Sequence, residues 1–406
     1  MPKSKYLIPL TFDSFALEEK KAVNEVMQSG FYSMGQNVAL FEKKLAKWLG
    51  VKNAIMVNSG SSANLLLVYS LLYSYKSRSL LQPGDEVLVP ALLWPTTIWP
   101  IMQFGLKPIL VDIDNETLAI NLNDAAKKIT KKTKAIFLIH VLGYAADMKA
   151  VNQFVKKNKL LLLEDCCESF GSFYNKKSVG AFGLGGTFSH FFSHHLTTIE
   201  GGSIITNDDD IANDIRSFRA HGWIRDRSDK DLIIKKDKQS KLDPRWHFIL
   251  PGFNLRPSEI QGALGLVQLK KANQFLRLRE NFLSILEGHV NKISWMDIIG
   301  AKQIRKSSKL NRRHSWMNVP FILHDDSPLS VRELTQIFEK YSIETRPIIT
   351  GNFLYHPASK YLKVKNTNFP NTDRVHNQGF MIGSFVEVAP AVSAALKNLF
   401  QFLEKL

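Results

Sequence analysis

The stretch "AIMVNSGSSANLLLVYSLLYSY", residues 54–75, decides the fold. Its first six residues form a short branched apolar run that reads as a buried strand. Gly60, Ser61 and Ser62 make a turn, and a helix-like segment follows from 62 to 75. The same alternation continues outward. "EVLVP" (86–90), "PILVDI" (108–113), "AIFLIHV" (135–141) and "LLLLED" (160–165) read as strands, and "MKAVNQFVKKN" (148–158) as a helix. This predicts an α/β fold with a mostly parallel central sheet covered by helices on both faces. Ligands in such sheets sit at the carboxyl ends of the strands. The long helical pattern at 258–290 then carries the chain out of this layer, and a last helix is expected at 391–406. The expected division is a large domain over residues 1–270 and a smaller C-terminal α+β domain over 271–406.

The 406 residues are 45% hydrophobic, enough for a full core and two domains. The most membrane-like stretch, 91–110, is broken by Pro95, Pro100, Lys107 and Pro108, so it reads as a buried loop and helix and not as a span. The N-terminus has no apolar core followed by a cleavage site, so a cytoplasmic protein is expected. The only two cysteines, Cys166 and Cys167, are adjacent, which excludes a disulfide framework or a cysteine-rich metal cluster within one chain. The formal charge is +16, with lysines clustered at 127–134 and 235–241. Neither cluster is interleaved with aromatics, so solvated surface is the reading and nucleic-acid binding is not.

Four features carry chemistry. The turn at Gly60, Ser61 and Ser62 opens a helix whose free amides and positive dipole end suit an anion, although a serine N-cap alone would produce the same pattern. Asp165 closes a strand, where a carboxylate could pair with a protonated ring nitrogen or cap a helix. Trp94 follows another strand end, where a flat ring could stack on a heterocycle or join the core. The loop "FSHHLTTIEGG" (192–202) is built like a cofactor-anchoring loop, with His194 and His195 where an amine would be expected. Together these are the parts of a pyridoxal-phosphate site.

The order of "GFYSMGQNVALFEKKLAKWLGV" (30–51), "NSGSSA" (58–63), "DIDNETLAIN" (112–121), "EDCCESFGS" (164–172), "FSHHLTTIEGG", "GFNLRPSEIQGALGLVQL" (252–269) and "IETRPIITGNF" (343–353) resembles the DegT-type sugar-nucleotide aminotransferase family over nearly the whole chain. The resemblance implies the fold-type I architecture of pyridoxal-phosphate (PLP) enzymes. Aminotransferases of the family carry a lysine in a pattern like "SxKxxTxGEGG", and His194 falls on it. A lysine would bind the cofactor aldehyde covalently; an imidazole cannot, but it can move protons near neutral pH.

A histidine at this place resembles the family's sugar 3-dehydratases, which use free pyridoxamine phosphate (PMP). One branch of these holds an iron–sulfur cluster on cysteines before the "GxNxR" motif, and residues 221–257 contain no cysteine. The cluster-free branch is therefore expected, with no metal and no cluster. The resemblance implies removal of the carbon-3 hydroxyl of GDP-4-keto-6-deoxy-D-mannose, L-glutamate as amino donor, and release of ammonia in deoxysugar and O-antigen synthesis.

It implies His194 as the base, with His195 the alternative, and Asp165 on the ring nitrogen. Gly60, Ser61, Ser62 and Ser193 would hold the phosphate, Trp94 would stack on the ring, and Glu168 would lie near its phenolic oxygen. Asn254 would reach in from the partner of a homodimer with shared sites. His221, Glu344 and Arg346 are candidates on the sugar-nucleotide side, Arg346 for its forked donors. The rivals are a true sugar aminotransferase, a cluster-dependent relative, and a regulator that binds the cofactor or sugar nucleotide without turning it over.

Overall fold

A computed structural model describes residues 5–11, 13–76, 79–236, 242–301, 312–364, 368–384 and 387–406. Residues 237–241 of the second lysine cluster lie outside them. In chain order the strands are β1 (Asn53–Val57), β2 (Glu86–Pro90), β3 (Lys107–Val111), β4 (Thr133–Ile139), β5 (Leu161–Asp165), β6 (Phe173–Tyr174), β7 (Lys177–Ser178), β8 (Gly185–Ser189), β9 (Gly202–Thr206), β10 (Met296–Ile298), β11 (Asn318–Leu323), β12 (Thr345–Arg346) and β13 (Gly379–Gly383).

Seven of them form one sheet in the order β1-β9-β8-β5-β4-β2-β3. The β3–β2–β4–β5–β8 pairings are parallel, whereas β9 runs antiparallel to both β8 and β1. Side chains alternate between the faces: Phe137 and Leu163 join one core, and Ile136, Leu138 and Leu162 join another on the opposite side. Burial on both faces is why these strands read as unbroken apolar runs. Pro108 is tolerated because β3 is an edge strand. The segment at 91–110 becomes the helix Pro95–Gln103 followed by β3. Among the described residues no helix is long and apolar enough to cross a membrane.

The helix Glu259–Val290 joins the two sheets. Ser258 caps it in a reciprocal box with Gln261. Early in the helix Gly262 and Gly265 lie flush against the helix Gln36–Leu49, where an added Cβ would stand 2.5 Å from the Val38 amide nitrogen or 2.8 Å from the Phe41 ring. Further on, Phe282, Leu286 and Val290 enter the core of a four-stranded antiparallel sheet, β10-β11-β13-β12. Each such buried side chain contributes about 1.5–3 kcal/mol. The chain's N-terminal residues also belong to this second layer: Ile8 is fully buried there and pairs with Ile343.

Candidate active site

The carboxyl ends of β4, β5 and β8, the N-terminus of the helix Gly60–Leu72, and residues of the small sheet enclose a cavity of about 420 Å³. Asp165 ends β5 with its carboxylate on this cavity. Oδ2 accepts from Asn64 Nδ2 at 2.8 Å and Thr97 Oγ1 at 2.7 Å, and Oδ1 accepts from the Cys167 amide at 3.0 Å. Asn64 is itself held by the Thr187 hydroxyl, which donates to its Oδ1 at 2.6 Å. A carboxylate offers about four lone-pair sites, so one on Oδ1 is left for a donor in the cavity.

The helix opposite begins with Ser59 as N-cap, its Oγ accepting from the Ser62 amide at 3.1 Å. Gly60 and Ser61 line the cavity, and Ser62 is buried behind them. Gly60 has no room for a side chain: a Cβ would stand 2.8 Å from Ser189 Cβ and 3.2 Å from Cys167 Sγ. The plain N-cap reading therefore applies to Ser59, while the first-turn backbone is presented to the cavity with the positive end of the helix dipole. Trp94 lines the opening and is 57% exposed, so its ring is no part of the core.

The structure separates the two histidines. His194 lines the cavity beside Ser193, whose Oγ is 3.5 Å from its Nδ1. Burial, then the positive charge of Arg279, brings its pKa down to about 4. The imidazole is thus neutral at pH 7, with a lone pair on one of its ring nitrogens. His195 is 3% exposed and turned into the protein, Nε2–H donating to the Ser315 carbonyl at 3.2 Å. Glu168 also lines the cavity, and its Oε2 accepts from the Leu142 amide at 2.9 Å. Desolvation, with a smaller contribution from the Asp165 charge, pushes its pKa up to about 7.

Of the other predicted residues only Arg346 reaches the cavity. His221 is exposed at φ +64°, and its amide donates to the Phe253 carbonyl at 2.7 Å. Asn254, also exposed, pairs with Ala220 through its backbone and accepts from Arg256 Nε at 3.0 Å. Neither lines this chain's cavity. Glu344 does not line it either, because its Oε2 accepts from the Leu10 amide at 2.9 Å. Sequence reasoning missed Asn64, Thr97 and Ser189. For Asn64 a signal existed: it is a polar residue inside an otherwise apolar helical run.

A cavity with a strand-end carboxylate, a helix N-terminus for an anion, an exposed aromatic ring and a neutral imidazole suits a phosphorylated, ring-protonated cofactor and a proton transfer beside it. Comparison with known proteins gives the same direction. The chain is 35% identical to GDP-4-keto-6-deoxy-D-mannose 3-dehydratase of Yersinia pseudotuberculosis over the full length of both. Crystal structures of GDP-4-keto-6-deoxymannose-3-dehydratase superpose closely. A histidine-to-asparagine mutant with bound GDP-perosamine gives a TM-score of 0.88 at 34% identity, covering 98% of this chain and 100% of that one. Another, with a trapped PLP-glutamate geminal diamine, gives 0.87 at 35%, covering 97% and 100%. The model of the DegT/DnrJ/EryC1/StrS aminotransferase family matches residues 14–396, and with this cavity at the heart of the match the chain belongs to that family.

Proposed function

We propose that this protein is a PLP- and PMP-dependent sugar-nucleotide 3-dehydratase acting on GDP-4-keto-6-deoxy-D-mannose, with L-glutamate as amino donor. The observation that carries the reading is a neutral imidazole, His194, on a cavity whose described lining contains no lysine. The site fits the cofactor: Asp165 keeps an acceptor site for a pyridinium N–H, Gly60 and Ser61 offer a backbone cradle for its phosphate, and Ser193 stands beside it. Bound there, the cofactor would supply the carrier for an amino group from glutamate, which leaves as 2-oxoglutarate, and the electron sink for loss of the carbon-3 hydroxyl from a 4-keto sugar.

The chain's own residues do the rest. Asp165, braced by Asn64 and Thr97, keeps the ring nitrogen protonated. Trp94 covers the ring face. His194 takes up a proton in the cavity and can return it to the departing hydroxyl, a role for which its free lone pair at neutral pH is suited. Glu168, protonated up to about pH 7, can donate to an oxygen on the ring. Arg346 receives the anionic part of the substrate.

We further infer a cytoplasmic homodimer in which Asn254 of each copy completes the other's site, and a domain division near residue 270, inside the long helix. The exposed position of Asn254, away from its own cavity, supports the shared site.

The test is the mass of the product from GDP-4-keto-6-deoxy-D-mannose with PLP and L-glutamate, with ammonia followed in parallel. Loss of the carbon-3 oxygen with ammonia release is expected. A stably aminated sugar would establish transamination instead, and binding without turnover would establish a regulator.

A further inference from the structure

Leu10 and Thr11 line the cavity although they lie far from its other residues in sequence. They are fixed there by an arrangement of backbone contacts. The amides of Leu7 and Ile8 donate to the Ser342 carbonyl at 2.8 and 3.1 Å, and the Glu344 amide donates to the Ile8 carbonyl at 2.9 Å. Ile8 is buried in the core of the small sheet. The Leu10 amide then donates to the Glu344 carboxylate. Beneath the segment Gly383 ends β13, and a Cβ there would collide with the Pro9 carbonyl. Beyond it, Ser14 Oγ donates to Gln268 Oε1 at 3.3 Å on the long helix. The span from Leu7 to Thr11 is therefore anchored at Leu7 and Ile8 and pinned again at Pro9 and Leu10, with Leu10 and Thr11 on the cavity.

Resting on the functional reading above, we propose that Leu7–Thr11 is a latched wall of the substrate pocket: Glu344 is the positioning residue that holds it, and Leu10 and Thr11 contact the sugar nucleotide. Glu344 sits two residues before Arg346, which lines the same cavity, and Glu344 Oε1 lies 3.8 Å from an Arg346 Nη. One carboxylate thus holds the wall with one oxygen and keeps the other within ion-pair range of Arg346. Its acidic side chain is used on backbone and protein cation, and not on the sugar.

The test uses the full chain with Glu344→Ala and Glu344→Gln. Two readouts need no substrate: hydrogen exchange at the Leu10 amide, and the rate at which a disulfide reagent labels Cys167. Cys167 lines the cavity whereas Cys166 is buried. Removing a charged acceptor should speed Leu10 exchange by about tenfold or more in the alanine variant. Cys167 labelling should rise severalfold, and the glutamine variant, which keeps an acceptor oxygen, should fall between. Turnover of GDP-4-keto-6-deoxy-D-mannose should show a raised KM with kcat little changed.

Unchanged exchange and labelling would overturn the latch. Faster exchange and labelling with an unchanged KM would overturn the substrate contact. If the wild type turns over no sugar nucleotide while the alanine variant still frees Leu10 and exposes Cys167, the functional reading falls and the wall stands. Gly383→Ala, which displaces Pro9 while leaving the Glu344 carboxylate in the chain, must reproduce both substrate-free effects; if it leaves them at wild-type values, the wall is overturned.

Discussion

Glu164 and Asp165 are neighbours on β5 and point to opposite faces of the sheet, and nothing in their chemistry distinguishes them as strongly as what each face supplies. Glu164 is fully buried and saturated. Oε1 accepts from the amides of Phe182 and Gly183 at 2.7 and 2.8 Å, and Oε2 from Gly180 at 2.9 Å. His140 Nε2 lies 3.2 Å from Oε2, and its Nδ1 accepts from the Ala146 amide, so the ring donates to the carboxylate. Every lone pair of the Glu164 carboxylate is thus engaged within the protein. Asp165 keeps one acceptor site and a cavity in front of it. His194 and His195 repeat the contrast, one imidazole on the cavity and the other donating to a carbonyl inside the protein.

The largest effects should break the second pair. His194→Asn should lower the dehydration rate by about 10²–10⁴-fold, the range of a lost general base, with unfolding unchanged. His195→Asn should leave the rate within a few-fold and cost about 1 kcal/mol of stability from its hydrogen bond. Rates and urea midpoints measured on both variants decide this; loss of elimination in the His195 variant alone would reverse the assignment.

The strand pair comes next. Asp165→Asn should cost about 10²–10³-fold in rate, as removal of a preorganised electrostatic partner does. Glu164→Gln should instead cost about 1–3 kcal/mol in unfolding free energy, because its neutral amide leaves buried backbone donors poorly satisfied. Its cofactor absorbance should match the wild type.

These contrasts also mark what was legible in the sequence. The five strands that read as apolar runs were found within one or two residues, because burial on both faces leaves an unmistakable composition. β8 and β9 were not found: "GGTFS" and "GSIIT" are short, and their glycines are there for close packing, a Cβ on Gly185 standing 2.8 Å from Leu67. The antiparallel direction of β9 leaves no trace in composition. In the site, the strand-end carboxylate and the histidine loop were visible as local patterns. The braces on Asp165 come from Asn64 and Thr97, 101 and 68 residues away, and no local pattern encodes such distances. Glu344 was misleading for the same reason: its residue type suits a ligand group, but its partner is a backbone amide 334 residues distant.

The smallest effect sharpens the comparison most, because it concerns a third carboxyl, Glu168, three residues past Asp165 and on the same cavity. Its pKa stands at about 7 against an ordinary 4.5, because burial penalises the charged form. Between those values the folded protein holds a proton that the unfolded chain has released. Raising the pH through that window therefore removes stability, and above about pH 7 the full penalty is present. His194 acts in the opposite sense over part of the same range. Its pKa is lowered to about 4 from 6.5, so the unfolded chain binds the extra proton and stability rises with pH there. The total slope mixes these with other buried histidines shifted the same way as His194, among them His190 and His314, but the difference between wild type and Glu168→Gln isolates the carboxyl. The glutamine variant should gain stability relative to wild type as the pH rises from about 5 to 7 and hold that gain beyond it. Melting temperatures taken at half-unit pH steps would show it. A difference that does not change across the window would mean that Glu168 ionises as freely as an exposed carboxyl, and that the face carrying Asp165 is no drier than solvent.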